Sequence, residues 1–314
     1  MLPRTRVANR LIRPSTFVPR RHMRIVPVPV REDNYAYILM STPAQGNSQA
    51  VFVDPYDVKS VHKVAKDLGL PDDAVVGCIA THKHFDHAGG NEDFAQTFPG
   101  RPIWGGSREV SQVTHIVKHG DKFTLFDQAP VHVTAYSTPC HTRESTCFFV
   151  EDERSQEELA RTGHGIKEGH EGEKKRGVFT GCVPISLTTS DTLFISGCGR
   201  FFEGDASDMH HALNEVIAAL PSDTLVYCGH EYTASNAKFS AKLLPHRPAI
   251  QSLLSDLWGR RNNGVTTGIY TLAEERAHNP FMLVHDDEVQ RVSGSTNPIE
   301  TMAFLRSAKN RGYV

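Results

Sequence analysis

The sequence predicts an α/β protein whose body of alternating strands and helices is followed by a smaller helical region. Three observations carry that prediction. Between residues 24 and 82, short apolar runs alternate with a segment of helical period. Apolar runs return at 131–152 and at 192–228, again with a helical pattern between them. From about residue 233 the strand signal mostly disappears and helical patterns take over. The chain has 314 residues, enough for roughly two domains. It is 39% hydrophobic and 22% charged with a formal net charge of -2, which argues against nucleic acid as its main partner. No uninterrupted apolar run approaches the roughly 18 residues of a membrane span, so no membrane partner is expected.

The elements follow in order. Residues 1–22 carry Arg4, Arg6, Arg10, Arg13, Arg20 and Arg21 and no acidic residue. An arginine-rich, acid-free leader reads as a mitochondrial transit peptide and places the protein in the matrix. A chain begun at Met23 would lack it, giving a cytoplasmic form. RIVPVPV (24–30) and NYAYILM (34–40) are predicted strands joined by a turn, and AVFVDPY (50–56) is a strand ending at Asp54-Pro55. VKSVHKVAKDLGL (58–70) has helical period and Gly69 near its end. VVGCIATH (75–82), VHVTAYSTPCH (131–141) and TCFFVED (146–152) are further strands. Residues 153–176 are charged and glycine-dotted and read as a loop insertion. TLFIS (192–196) and TLVYC (224–228) are strands, and 207–220 between them is a helix with Ser207 as its cap. Helices are predicted over 234–244, 247–258 and 271–278, and a final one starts at Asn297-Pro298 with Glu300 in its first turn. The division is therefore a body over 23–232 and a helical region over 233–314.

THKHFDHAGG (81–90) places three histidines and an aspartate within six positions, at the end of a strand. His82 and His84 are two apart and point to one side of an extended segment. Asp86 and His87 open a helix, where adjacent side chains diverge. One loop thus aims ligands at two neighbouring points, an arrangement suited to two metal ions. Two ions need roughly seven protein contacts, so further ligands are sought at strand ends. His141, Asp191 and His230 all stand where a strand meets a loop. His62, His115, His119, His132, His210 and His211 lack such positions and read as surface or core histidines. The six cysteines (Cys78, Cys140, Cys147, Cys182, Cys198, Cys228) form no CxxC pair and read as free thiols.

These residues resemble a known family. THKHFDHAGG is similar to the THxHxDH motif of the metallo-β-lactamase superfamily. TPCHT (138–142), DTLFISGCGRFFEG (191–204), VYCGHEYTASNAKF (226–239) and NPFM (279–282) resemble segments of the hydroxyacylglutathione hydrolases, also called glyoxalase II. The resemblance implies an αββα sandwich followed by a small C-terminal helical domain. It implies that His82, His84 and His141 bind one metal, that Asp86, His87 and His230 bind another, and that Asp191 bridges them. It implies two divalent ions, zinc before iron or manganese, and a monomer. Arg200, Tyr232, Arg306 and Lys309, with Phe202, His230 and Glu231 beside them, would hold a glutathione thioester. Arg306 and Lys309 stand i, i+3 on the final helix and share a face. The implied reaction converts S-D-lactoylglutathione to glutathione and D-lactate, the last step of methylglyoxal detoxification. Its nucleophile would be a metal-bridged hydroxide, with Asp86 and Asp191 as the catalytic carboxylates.

Two departures from the family pattern stand out. Phe202 replaces a common tyrosine and removes a hydroxyl. The nine residues CVPISLTTS (182–190) interrupt the usual FTGDTLF immediately before Asp191. If they loop out, Asp191 keeps its place; if they displace it, the chain is a catalytically impaired metal-binding protein. A mononuclear iron persulfide dioxygenase of the same superfamily is the competing enzyme.

Overall fold

The computed structural model describes residues 23–41, 47–127, 129–154, 176–180, 192–259 and 265–312. The leader 1–22, the bulk of the 153–176 insertion, the 182–190 insertion and Asp191 lie outside the described residues.

The first sheet takes its strands in chain order: β1 (Arg24–Val30), β2 (Asn34–Ser41), β3 (Gln49–Val53), β4 (Val75–Ile79), β5 (Ile103–Gly105) and β6 (His115–Ile116). β1, β2 and β3 are antiparallel, and β3 to β6 are parallel. The second sheet begins with β7 (Lys122–Thr124), β8 (Val131–Ser137), β9 (Thr146–Asp152) and β10 (Arg176–Phe179). A hairpin of β11 (Leu193–Phe194) and β12 (Gly197–Cys198) follows, and β13 (Leu225–Tyr227) then pairs parallel to β10 at the edge of the second sheet.

Period-two alternation explains how these sheets stack. All eight residues of β2 are buried, so both faces are covered. Tyr35, Tyr37 and Leu39 point into a core between the sheets, where they meet Val131 and Val133 of β8 and Phe148 and Val150 of β9. Ala36, Ile38 and Met40 point the other way, into a core under α1 (Val58–Asp67) and α3 (Asn91–Thr97), with Val58, Val61, Ala65 and Phe94 facing them; the short α2 (Phe85–Ala88) lies between β4 and α3. Cys147 and Phe149 of β9 turn outward into a third core. That core also holds Met209 of α4 (Ala206–His210) and side chains of the C-terminal helices. Three cores between four layers make the αββα sandwich. Burying each large apolar side chain contributes about 1.5–3 kcal/mol.

The C-terminal helices are α5 (Thr233–Leu243), α6 (Pro248–Gly259), α7 (Leu272–His278), α8 (Asp287–Ser293) and α9 (Pro298–Asn310). Ala237, Leu253, Leu272, Phe281, Val289, Met302 and Leu305 join the third core directly, so the helical region packs on the second sheet through shared apolar surface.

Some elements differ from the sequence reading. The helix expected over 207–220 is not continuous. α4 is capped by Asp205, whose carboxylate accepts from Ser207 and Asp208, so Ser207 lies inside the first turn. The chain then widens into a π-helical turn, His211–Val216, and tightens into a 3₁₀ turn, Ile217–Ala219. The strand at 192–196 stops at Phe194 because Ser196 turns the chain at φ 56°. That strained residue is held by Glu275 at its N–H (2.9 Å) and by Ser240 at its hydroxyl (2.9 Å). α8 had not been expected, although Asp286 caps its start and Gly294, at φ 74°, ends it. Asn297 caps α9 as expected, whereas the Glu300 carboxylate accepts from Ser295.

Candidate metal centre

β4 ends at Ile79 and delivers residues 80–84 to one end of the sandwich, where α2 begins at Phe85. The tight exit depends on Gly90, where a Cβ would collide with the Pro55 and Tyr56 carbonyl oxygens. His141 follows β8, and His230 follows β13 at the same end. Two clusters result. His82, His84 and His141 bring ligand atoms within 4.8 Å of one another, and so do Asp86, His87 and His230. The clusters adjoin: the His82 and His87 rings are 4.7 Å apart between centroids. Asp191, the expected bridge, lies outside the described residues.

Each cluster is oriented from behind. Asp33 Oδ1 lies 2.8 Å from His230 Nδ1, which fixes that ring with Nε2 toward Asp86. Asn34 Nδ2 donates to Asp86 Oδ2 at 3.0 Å. Asp54 accepts from the Thr81 N–H (2.8 Å) and hydroxyl (2.7 Å), and it lies 3.0 Å from His87 Nδ1. Such carboxylate–imidazole pairs set the tautomer and strengthen a metal ligand. Buried Glu144 accepts from the Lys83 N–H at 3.0 Å, fixing the loop between His82 and His84.

Sequence reasoning missed Asp33, Asn34, Asp54 and Glu144. The signal for Asp54 was available: it is a carboxylate at a strand end, the criterion that selected Asp191, yet it was read as a turn residue. Its φ of 48° shows that it is both.

The electrostatics favour ligation. Burial, then the neighbouring imidazoles, pushes His82 and His141 well below the ordinary histidine range. Burial also lowers His84 and His230. Burial opposes charge on His87 too, but Asp86 and Asp54 outweigh it and raise that residue to about 9. Asp86 is held below the usual carboxylate range by His87 and Asn34, against the cost of its burial. Among the described residues, His82 Nε2, His87 Nε2, His141 Nδ1 and His230 Nε2 are buried without a hydrogen-bond partner. Unpartnered buried polar groups are costly. A cation shared by these imidazoles and a carboxylate satisfies them, displacing the proton that Asp86 and Asp54 favour on His87, so the donor set fits metal ions.

The surroundings of the clusters are mixed. Phe202 is exposed and sets its ring edge-on to His141 at 5.3 Å. Tyr232 stacks on His230 at 4.8 Å and 11°. The Glu231 carboxylate accepts from Tyr35 (2.7 Å) and Thr266 (2.8 Å). Arg200 is exposed on the loop after β12. Arg306 is buried and donates to the Cys198 (2.9 Å) and Gly199 (3.3 Å) carbonyls, so it shapes that loop directly. Lys309 bonds Asn236 and lies over the Phe239 ring at 5.2 Å, and burial then Arg306 lowers it to about 7. The five described cysteines are free and buried, and Cys182 lies outside the described residues.

The comparisons with known proteins bear on both regions. Residues 43–230 match the family model of the metallo-beta-lactamase superfamily, and residues 231–312 match that of the hydroxyacylglutathione hydrolase C-terminus. The chain is 40% identical over 279 residues to the Schizosaccharomyces pombe protein named "Probable hydroxyacylglutathione hydrolase glo2", covering 88% of this chain and 93% of that one. It is 37% identical over 290 residues to the cytoplasmic hydroxyacylglutathione hydrolase of Arabidopsis thaliana, covering 92% and 99%. Among solved structures it resembles ETHE1 from Myxococcus xanthus, at 22% identity and a TM-score of 0.56 over 92% of this chain and 91% of that one. That likeness shows the fold.

Proposed function

Since the chain belongs to the hydroxyacylglutathione hydrolases of the metallo-β-lactamase superfamily, it is a hydrolase of glutathione thioesters, and we propose that it works through a dinuclear metal centre. The observation that carries the dinuclear reading is the pair of adjoining clusters, each with buried, unpartnered ring nitrogens. We assign His82, His84 and His141 to one ion, Asp86, His87 and His230 to the other, and Asp191 to both. The donor set suits zinc, iron or manganese, and zinc is our assignment. Bound there, two divalent ions supply an activated water near neutral pH and polarise the thioester carbonyl.

The chain's own residues do the rest. Asp33 and Asp54 keep His230 and His87 in register. Asn34 turns the Asp86 carboxylate toward the centre, where it orients the attacking water. The leaving group is a thiol with a pKa of roughly 8.5, so it departs as thiolate without a general acid. Arg200, Tyr232 and Lys309 hold the glutathione part, Phe202 and Glu231 border it, and Arg306 positions the 198–200 loop. The substrate is S-D-lactoylglutathione, giving glutathione and D-lactate.

An Asp86→Asn protein tests this assignment. It should lose the ion at the second cluster and most turnover; full metal content with full turnover would refute the role. A mononuclear persulfide dioxygenase needs one ion, and the two adjoining clusters together with the hydrolase-type C-terminus favour the hydrolase. Oxygen consumption with glutathione persulfide separates the two.

No helix among the described residues is long and apolar enough to cross a membrane. We propose a monomer directed to the mitochondrial matrix by residues 1–22, with a cytoplasmic form begun at Met23.

A further inference from the structure

The histidine pair set aside on sequence grounds, His210 and His211, meets a third histidine from the helical region. His210 ends α4, and the π-helical turn His211–Val216 follows at once. In an α-helix, residue i+5 lies about 140° around the axis from residue i. The wider i→i+5 turn brings it back above residue i. Glu215 accordingly reaches two imidazoles, lying 2.6 Å from His211 Nδ1 and 3.6 Å from His210 Nδ1. The other side of the His210 ring points across the interface, where its Nε2 lies 3.3 Å from Nε2 of His285. His285 is exposed in the turn before α8.

We propose that His210 and His285 form a transition-metal site, separate from the catalytic centre, that clips the body to the helical region. A tetrahedral ion with metal–nitrogen bonds of about 2.0–2.1 Å holds two nitrogens about 3.3–3.4 Å apart. The observed separation is 3.3 Å, with ring centroids 5.4 Å apart and planes at 70°. His84 and His141, inside a metal cluster, show nearly the same arrangement at 3.1 Å and 4.9 Å. Glu215 stands behind the far nitrogen of His210 at 3.6 Å, a looser contact than that of Asp33 behind His230 at 2.8 Å. Burial, and after it His285, keeps His210 below the ordinary range and therefore ready to ligate at neutral pH. Two imidazoles leave the remaining positions to water, so the ion is exchangeable and borderline in softness: zinc, nickel or copper.

The test uses the full chain, free of any histidine tag, with its catalytic centre loaded with zinc and excess metal removed. Ni²⁺ alone is the probe, followed by equilibrium dialysis and thermal melting. The wild-type protein should bind one more Ni²⁺ per chain than His285→Ala. At a hundredfold excess over its dissociation constant, Ni²⁺ should raise the wild-type melting temperature by roughly 5 °C, a rise absent from His285→Ala. Glu215→Gln, which removes a negative charge 3.6 Å from His210, should bind the ion more weakly. Exchange of nickel into the catalytic centre affects both proteins alike and cancels in the difference. Equal nickel stoichiometry in wild type and His285→Ala overturns the proposal and leaves an ordinary imidazole–imidazole hydrogen bond.

Discussion

Replacing Asp54 by asparagine isolates the support of the metal centre from its ligands. The carboxylate carries three contacts: the Thr81 N–H at 2.8 Å, the Thr81 hydroxyl at 2.7 Å and His87 Nδ1 at 3.0 Å. Asparagine is nearly isosteric. Its oxygen still accepts from the Thr81 N–H, so the loop backbone keeps its anchor. Its amide nitrogen then replaces Oδ2 and faces both the hydroxyl, which can turn to accept, and the ring. When His87 ligates through Nε2 it carries its proton on Nδ1, and a donor meets a donor. Hydrogen bonds to a charged acceptor are worth about 1.5–3 kcal/mol, so losing the charge and one contact should cost about 2 kcal/mol. For a chain of this size that lowers the melting temperature by roughly 3–4 °C, and the protein still folds. Removing such an orienting carboxylate typically weakens metal binding about 10–100-fold. Metal analysis across a chelator series should show the Asp86/His87/His230 cluster emptying first, with turnover falling in parallel. An Asp54→Asn protein that holds both ions as tightly as wild type, at undiminished turnover, would refute the reasoning.

Other outcomes follow from the same structure. Lys309→Met should raise KM for the thioester with little change in kcat, because the side chain is assigned to substrate and not to the metals. Since burial, then Arg306, lowers Lys309 to about 7, wild-type KM should climb above that pH while the variant's stays flat. Fully buried Glu275 is raised by burial to about 8, so the folded state holds a proton that the unfolded state releases near pH 4.5. Its stabilisation is complete below that value and is lost as pH rises through about 8. Urea unfolding at pH 6 and 9 should therefore show Glu275→Gln losing less stability than wild type over that interval; parallel losses would remove Glu275 as the cause. His285→Ala should leave turnover unchanged in zinc-loaded protein, measured without added nickel.

Much of the fold was legible in the sequence because its signals are local. β1, β2, α1 and the α9 cap lie where period and capping chemistry put them. The clustered histidines were legible because a strand end and a short spacing placed them together. Their supports were not, because each comes from a distant strand end: Asp33 and Asp54 reach His230 and His87 through the sheet, not along the chain. α4 was misread for a different reason. Helical period fits α and π turns almost equally over a short span, and Asp205, two residues before the expected cap, caps more strongly than Ser207. The contact between His210 and His285 is 75 residues long-range, and nothing in either local pattern announces it. Arg306 was legible as a cation on a shared helix face, but its burial against the Cys198 carbonyl depends on how α9 docks.

The most direct test is hydrolysis of S-D-lactoylglutathione by the purified full chain, with metal content determined on the same sample. The account predicts turnover by protein that carries close to two ions per chain, and loss of turnover when a chelator removes them. Turnover by protein holding a single ion would contradict the dinuclear centre. An untouched thioester, with both ions bound, would contradict the assigned activity itself.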